Sequence, residues 1–245
     1  FVLLILAIHY GSVIAADPVW AARFTFDATT LAFIMMAYGF IAAVLPVWFL
    51  LAPRDYLSTF LKIGVIGLMA IAIVIVAPDI QMPKMNTQYF DGSGPVFAGA
   101  IFPFLFITIA CGAISGFHAL ISSGTSPKML ENETHALPVG YGSMLMESAV
   151  AIMALICATI LHPGLYFAIN SPAIFIGTDV VQVAQTISTW GFSVTPEEIF
   201  TLTKNIGEET ILSRTGGAPT FAIGVALVLH EIFGGVDMMG FWYHF

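Results

Sequence analysis

The sequence has few charged residues: 9% of its 245 positions are Asp, Glu, Lys or Arg, whereas 58% are hydrophobic. Soluble domains carry about 25% charged residues, which keep their surfaces hydrated. The mean hydropathy of +0.94 and the long apolar runs between short polar clusters exclude a soluble globular fold. The composition therefore predicts an all-α polytopic membrane protein, with a lipid bilayer as its solvent.

Basic residues and cysteines are also scarce. Seven basic residues face 15 acidic ones, a net charge of −8, so we expect no nucleic-acid partner. The two cysteines, Cys111 and Cys157, stand inside apolar runs and far from any CxxC pattern. This placement predicts small buried residues and neither a disulfide framework nor a zinc site. No metal and no cofactor is expected.

Both ends of the sequence are apolar. It opens with FVLLILAIHY, has no initiator Met and no basic signal-peptide region, and closes with MMGFWYHF. We expect both ends to lie inside helices, so the chain is interpreted as an internal fragment of a longer protein. A binding site completed by other helices would then be only partly present.

Apolar segments define the predicted domain organisation, because about 20 residues of helix cross a hydrocarbon core about 30 Å thick. We predict one transmembrane helix bundle over residues 1–245. Its predicted spans are 1–15 (partial), 29–51, 58–78, 98–123, 138–161, 216–235 and 238–245 (partial). The more polar segment 164–215 is placed outside the cytoplasm and the loops at Arg54 and Lys128 inside it, from the alternation of sides.

One water-like stretch within that polar segment, TPEEIFTLTKNIGEETIL, has a clear helix start. Thr195 is predicted to cap the helix and Pro196 to occupy its first turn. Glu197 and Glu198 suit the positive end of the helix dipole. We interpret this stretch as a helix lying at the membrane surface.

The stretch FITIACGAISGFHALISSGTSPKML interrupts an apolar helix with glycines, hydroxyls and an imidazole. Gly112 and Gly116 have the G-x-x-x-G spacing of close helix packing. The same glycines would also permit an unwound helix, whose free backbone groups bind substrate in many transporters. Ser115 would add a hydroxyl ligand there, although serines in membrane helices often bond only the carbonyl one turn back.

Several further residues complete the predicted binding site. FWYHF at the chain end is predicted either to line a cavity or to form an aromatic interface belt. The candidate substrate-binding residues are Gly112, Ser115, Gly116, His118, Ser122, Ser123, Tyr243 and His244.

Two residues are candidates for proton coupling. Glu147 lies about nine residues into its predicted span, where a carboxylate is costly unless it is paired, protonated or facing water. His118 titrates near physiological pH and could relay a proton. The alternatives are a hydrogen bond between helices for Glu147 and a satisfied core imidazole for His118.

Five sequence motifs, in order, resemble the carbon starvation protein A family. They are LPVWFLLAPRDYLSTFLKIG, FPFLFITIACGAISGFHALISSGTSPKML, GYGSMLMESAVAIMAL, PGLYFAINSP and FWYHF. The resemblance implies a multi-pass transporter of the bacterial inner membrane that takes up peptides or pyruvate with protons. It also implies discontinuous helices, as in amino-acid, polyamine and organocation transporters.

Our hypothesis from the sequence is substrate uptake by alternating access, with the proton on Glu147. A passive channel or a membrane nutrient sensor is the alternative. An intramembrane hydrolase is disfavoured, because Ser115 and His118 share a helix face but nothing supplies an oxyanion hole or a leaving-group acid. We therefore do not expect an enzyme. Substrate identity and oligomeric state are left open by the sequence.

Overall fold

The computed structural model describes residues 2–46, 48–97, 99–100, 102–103, 119–233 and 238–244. Within these ranges the regular structure is helical and no strand occurs, which confirms the all-α prediction. The chain divides into two compact units. One comprises Phe1–Ala77 with Val225–Phe245, and the other comprises Pro78–Gly224. The single transmembrane domain stays a prediction.

The first unit begins with two helices that meet at a sharp bend. Helix α1 covers Val2–Ala16 and α2 covers Pro18–Phe24, and their axes differ by 113°. Pro18 lacks the N–H that would continue the helix, and a proline disfavours helical backbone at the residue before it. Asp17 is accordingly extended and accepts hydrogen bonds from the N–H groups of Val19 and Trp20, which starts α2.

Two longer helices follow. Helix α3 covers Ala28–Val44 and starts at Asp27, whose carboxylate accepts hydrogen bonds from the N–H groups of Thr29 and Thr30. Helix α4 covers Leu51–Val76. At its start the Arg54 guanidinium donates to the Tyr38 hydroxyl of α3 at 3.2 Å. That bond ties the two helices together next to the loop that the sequence places in the cytoplasm.

Among the described residues, two helical stretches are long and apolar enough to cross a bilayer, Ala52–Val76 and Glu133–Thr159. The bent pair α1 and α2 adds a third if the two helices form one span. The sequence places spans at 58–78 and 138–161, so the predictions overlap both stretches. The chain is a membrane protein, and its bent pair consists of two apolar helices that meet at a sharp bend.

The second unit is built around one long helix and several short ones. Thr87–Tyr89 and Glu133–His135 form 3-10 turns, and Ile121–Thr125 forms a π turn. Its helices are α5 Ser126–Met129, α6 Ala136–Thr159, α7 Pro163–Asn170, α8 Ala173–Ile176, α9 Val180–Thr189 and α10 Pro196–Ile206. Helix α11, Gly217–Ile232, starts in this unit, and α12 is Met239–His244 in the first unit.

Helices α7 to α10 enclose a hydrophobic core, whose members include Ile169, Ile176, Val183, Ile187 and Ile206, all fully buried. Periodicity explains the packing, because α10 buries residues three and four positions apart, as an amphipathic helix does. The predicted start of α10 is confirmed. Thr195 and Glu198 form a reciprocal capping box, with Pro196 in the first turn.

Candidate functional site

Four of the predicted substrate-binding residues, Gly112, Ser115, Gly116 and His118, lie outside the residues that the structure describes. The predicted break near the glycines and the imidazole's role as a proton relay therefore remain predictions. The same holds for burial of Cys111. Its counterpart Cys157 is fully buried, as predicted.

Ser122 and Ser123 lie in the π turn Ile121–Thr125 that follows the glycine-rich stretch. Their hydroxyl groups donate to the carbonyl oxygen of Ala119 at 3.1 and 2.7 Å. Both serine hydroxyls thus donate to the carbonyl of the preceding turn, which is the alternative that the sequence left open beside ligand binding. The π turn itself interrupts the regular helical hydrogen bonding next to these residues, a feature found frequently at functional sites.

Tyr243 and His244 lie in α12 of the first unit. Their rings meet edge to face with centroids 4.9 Å apart, and Tyr243 is half-buried while His244 is exposed. The two residues are therefore neighbours, and so are Ser122 and Ser123 in the second unit. A common binding site for the four stays a prediction.

Glu147 lies near the middle of the 24-residue helix α6, of which it is the only charged residue. Its side chain is exposed, and no other described residue forms a hydrogen bond or an ion pair with it. Ser143 and Ala151 lie four residues from Glu147 on its helix face, and Gly140 and Ala154 lie seven residues, or about two turns, from it. The larger Met144 and Val150 are three residues away.

A cavity of about 510 Å³ opens in the second unit where the end of α6, α7 and the start of α11 come together. Its apolar wall includes Ala154 and Ala158 of α6, with Phe221 of α11. The polar and backbone groups that line it belong to Tyr166, Asn170, Thr215, Gly216, Gly217 and Thr220. A few convergent polar groups in an apolar cavity are typical of a small-molecule site.

Asn170 organises the polar side of the cavity. Its side-chain nitrogen donates to the Tyr166 carbonyl oxygen at 3.0 Å and to the Thr220 hydroxyl oxygen at 2.8 Å. Asn170 and Thr220 are only 5% and 3% exposed, so this bond joins α7 to α11 away from water. Burial also raises the pKa of Tyr166, which keeps its phenol protonated as a hydrogen-bond donor.

Helix α11 begins at the edge of this cavity. Gly216 has a φ of +115°, a conformation that favours glycine, and it allows the chain to turn into the helix. The N–H groups of Gly217 and Ala218 stand in the first turn, and no described residue accepts a hydrogen bond from them. A helix N-terminus with free N–H groups carries about half a positive charge.

The cavity and Glu147 share one helix face. Ala154 lies about two helical turns after Glu147, roughly 10 Å along the axis, and Ala158 follows one turn later. The carboxylate and the cavity wall therefore lie on the same face of α6.

The sequence analysis did not identify Tyr166, Asn170, Thr215 or Thr220 as site residues. Asn170 could have been identified from the motif PGLYFAINSP, because it is a polar residue at the end of a short apolar helix. No local pattern identifies Thr220, because its hydrogen-bond partner Asn170 is 50 residues away in the chain. In the described part of the chain, no three His, Cys, Asp or Glu side chains cluster as metal ligands.

The family model for the carbon starvation protein CstA matches residues 1–245. No solved structure gives a significant match to the chain.

Curated relatives match over nearly the whole chain. It is 85% identical to the peptide transporter CstA of Campylobacter jejuni, with 100% of the chain covered. It is 57% identical to the peptide transporter CstA of Escherichia coli over 98% of the chain. The pyruvate/proton symporter BtsT of Escherichia coli is 53% identical over 100% of the chain. The chain spans only 35% to 37% of the length of these relatives. It belongs to the carbon starvation protein CstA family.

Proposed function

We propose that this chain is part of a secondary active transporter that imports peptides or pyruvate across the bacterial inner membrane, in several passes, by proton symport. The names of the relatives support this proposal, since they are peptide transporters and a pyruvate/proton symporter. All of these are transport activities, and we propose a transporter rather than an enzyme.

The observation that carries the proposal is the position of Glu147. An ionisable side chain near the middle of a membrane-spanning helix is expensive, and such residues line substrate pathways and proton relays. Because Glu147 is the only charged residue in Ala136–Thr159, no basic side chain on its own helix neutralises it. Protonation removes its charge and deprotonation restores it, which is the change that a coupling site needs.

We propose that Glu147 takes up a proton when the protein faces outward and releases it when the protein faces the cytoplasm. His118 would serve as a second member of the proton path. Substrate would be held by the helix break at Gly112, Ser115 and Gly116.

Further candidate substrate contacts are Ser122, Ser123, Tyr243 and His244. The π turn that contains the two serines supports their assignment, because it interrupts the regular helix at that point.

The test is the variant Glu147→Gln in the full-length protein, reconstituted in proteoliposomes. We expect accumulation of labelled substrate driven by a proton gradient to fall at least tenfold, because glutamine does not exchange protons. Exchange of labelled for unlabelled substrate should persist, because glutamine has the size and polarity of a protonated glutamate.

Glu197→Gln is the matched control, since Glu197 is an exposed acid in the first turn of α10. Full gradient-driven accumulation by Glu147→Gln would contradict the proposed role of this carboxylate. Wild-type flux without accumulation would indicate a passive channel, and ligand binding without flux a sensor. Either result would overturn the proposed symport.

A further inference from the structure

The cavity beside α11 has a distinct arrangement of donors. Gly217 and Tyr166, which line it, carry a free backbone N–H in the first turn of α11 and a neutral phenol. None of its lining residues is acidic or basic. A helix N-terminus in such an uncharged apolar cavity favours one negative charge, and a carboxylate fits it.

Thr220 adds a donor whose direction is fixed by its neighbour. Its hydroxyl oxygen accepts a hydrogen bond from the Asn170 side chain, so the hydroxyl hydrogen must be donated elsewhere. No described residue accepts that hydrogen, although Thr220 is only 3% exposed. A buried hydroxyl that lacks an acceptor is costly, and a ligand oxygen in the cavity would supply one.

Asn170 places an acceptor next to this donor. Both bonds that its side chain forms within the described residues are made by the nitrogen, which leaves the carboxamide oxygen without a donor. Asn170 is 5% exposed and lines the cavity. The cavity thus pairs a group that accepts a hydrogen with groups that donate to an anion.

We propose that this cavity binds the C-terminal residue of a peptide. The peptide carboxylate accepts from the first turn of α11 and from the Thr220 hydroxyl, and the last peptide N–H donates to the Asn170 carboxamide oxygen. In that residue the carboxylate and the N–H are attached to the same carbon. In the protein the Thr220 hydroxyl, which donates, and the Asn170 carboxamide oxygen, which accepts, belong to side chains in direct contact. The inference rests on the proposed function only in taking a peptide as the substrate.

The shape and chemistry of the cavity favour peptides over pyruvate. Its volume of about 510 Å³ lies in the range of small-molecule sites, and its apolar wall of Ala154, Ala158 and Phe221 accepts a side chain. Pyruvate has a carboxylate but carries a keto oxygen where a peptide has its N–H. That oxygen would face the Asn170 oxygen, with two acceptors and no hydrogen between them.

The test measures binding to the purified full-length protein in lipid nanodiscs with three probes. Alanyl-alanine carries both groups, its C-terminal amide lacks the carboxylate, and alanyl-lactate replaces the peptide N–H by an ester oxygen. We expect each altered probe to bind at least about tenfold more weakly than the dipeptide, since each leaves a buried group unpaired. Equal binding of all three probes would overturn the proposal.

Two pairs of variants locate the binding within the cavity. In Thr220→Val the preference for dipeptide over its amide should shrink about tenfold, whereas Thr220→Ser should restore it. A variant that merely disturbs the fold would weaken both probes equally. Gly217→Pro removes one N–H at the first position of α11, where helices accept proline, and Gly217→Ala keeps that N–H. The difference in dipeptide affinity between these two variants measures the contribution of the N–H to binding.

The peptide terminus binds elsewhere if Thr220→Val keeps the full preference for the dipeptide over its amide and Gly217→Pro binds the dipeptide as tightly as Gly217→Ala. This failure differs from failure of the proposed symport. If only the cavity proposal fails, the wild-type protein still accumulates substrate with a proton gradient. If only the proposed symport fails, the wild-type protein still binds the dipeptide but does not accumulate it.

Discussion

Helix α4 and the segment from α7 to α10 are both rich in apolar residues, but they place them differently. In the most apolar stretch of α4, only 12% of the residues whose burial the structure describes are buried within the chain. Helix α3 has no buried residue. In α7, by contrast, five of the eight residues are buried. Helices α3 and α4 leave their apolar surface exposed to lipid or to other helices, whereas α7 to α10 bury theirs against one another.

The sequence explains this difference. Helix α10 buries Ile199, Leu202, Thr203 and Ile206 on one face. Its exposed residues are polar except for Phe200, so its other face suits water. After Lys62, helix α4 has no polar side chain and is apolar on every face, which suits a bilayer. The segment from α7 to α10 is therefore expected to hold its structure through its own core.

The largest expected effect comes from removing part of that core. Ile206→Ala should destabilise the segment by about 2–5 kcal/mol, because a fully buried isoleucine leaves a cavity. Ile174→Ala is the matched control, since Ile174 is 87% exposed. Hydrogen exchange of the α10 amides in the full-length protein measures both. Equal exchange in the two variants would show that the segment does not rely on its own core.

A second prediction concerns the part of the long helix α6 that is packed. A Cβ added at Gly224 of α11 would collide with the Cβ and the backbone of Cys157 in α6. Gly224→Ala must push the two backbones apart, so we expect a loss of about 1–3 kcal/mol and a lower unfolding temperature.

Gly142→Ala serves as the comparison at the other end of α6, where nothing lies within 4 Å of the added carbon. If Gly142→Ala lowered the unfolding temperature as much as Gly224→Ala, the contrast between the packed and open parts of α6 would be wrong.

The smallest expected effect lies at the start of α10. Thr195→Ala removes one half of the capping box and should destabilise the helix by about 1 kcal/mol. Thr195→Ser keeps the hydroxyl and should retain most of the stability. Hydrogen exchange in the first turn of α10 distinguishes the two variants. Unchanged exchange in Thr195→Ala would show that the neighbouring core alone holds this turn.

Local features of the fold could be predicted from the sequence. Thr195, Pro196 and Glu198 stand close together in the chain, so a helix start could be read from their order. The apolar stretches that form α4 and α6 were likewise predicted, because hydropathy and length suffice for a membrane span. The predicted first span ends at residue 15, within one residue of the end of α1, but helix α2, which begins at Pro18, was not predicted.

The candidate site could be predicted only in part. Glu147 was identified because a carboxylate in an apolar run is conspicuous without any tertiary structure. The cavity was not, since it needs α6, α7 and the start of α11 to be folded together. Asn170 and Thr220 acquire their roles only through a bond across 50 residues, and no local pattern predicts such a bond.

The central claim, proton-coupled import, is tested most directly by uptake of labelled pyruvate and of a labelled dipeptide into proteoliposomes that contain the full-length protein. Each substrate is measured with and without an inward proton gradient. The account predicts accumulation of at least one of them above the external concentration, and only with the gradient. Absence of accumulation for both, with folded and correctly oriented protein, would contradict it.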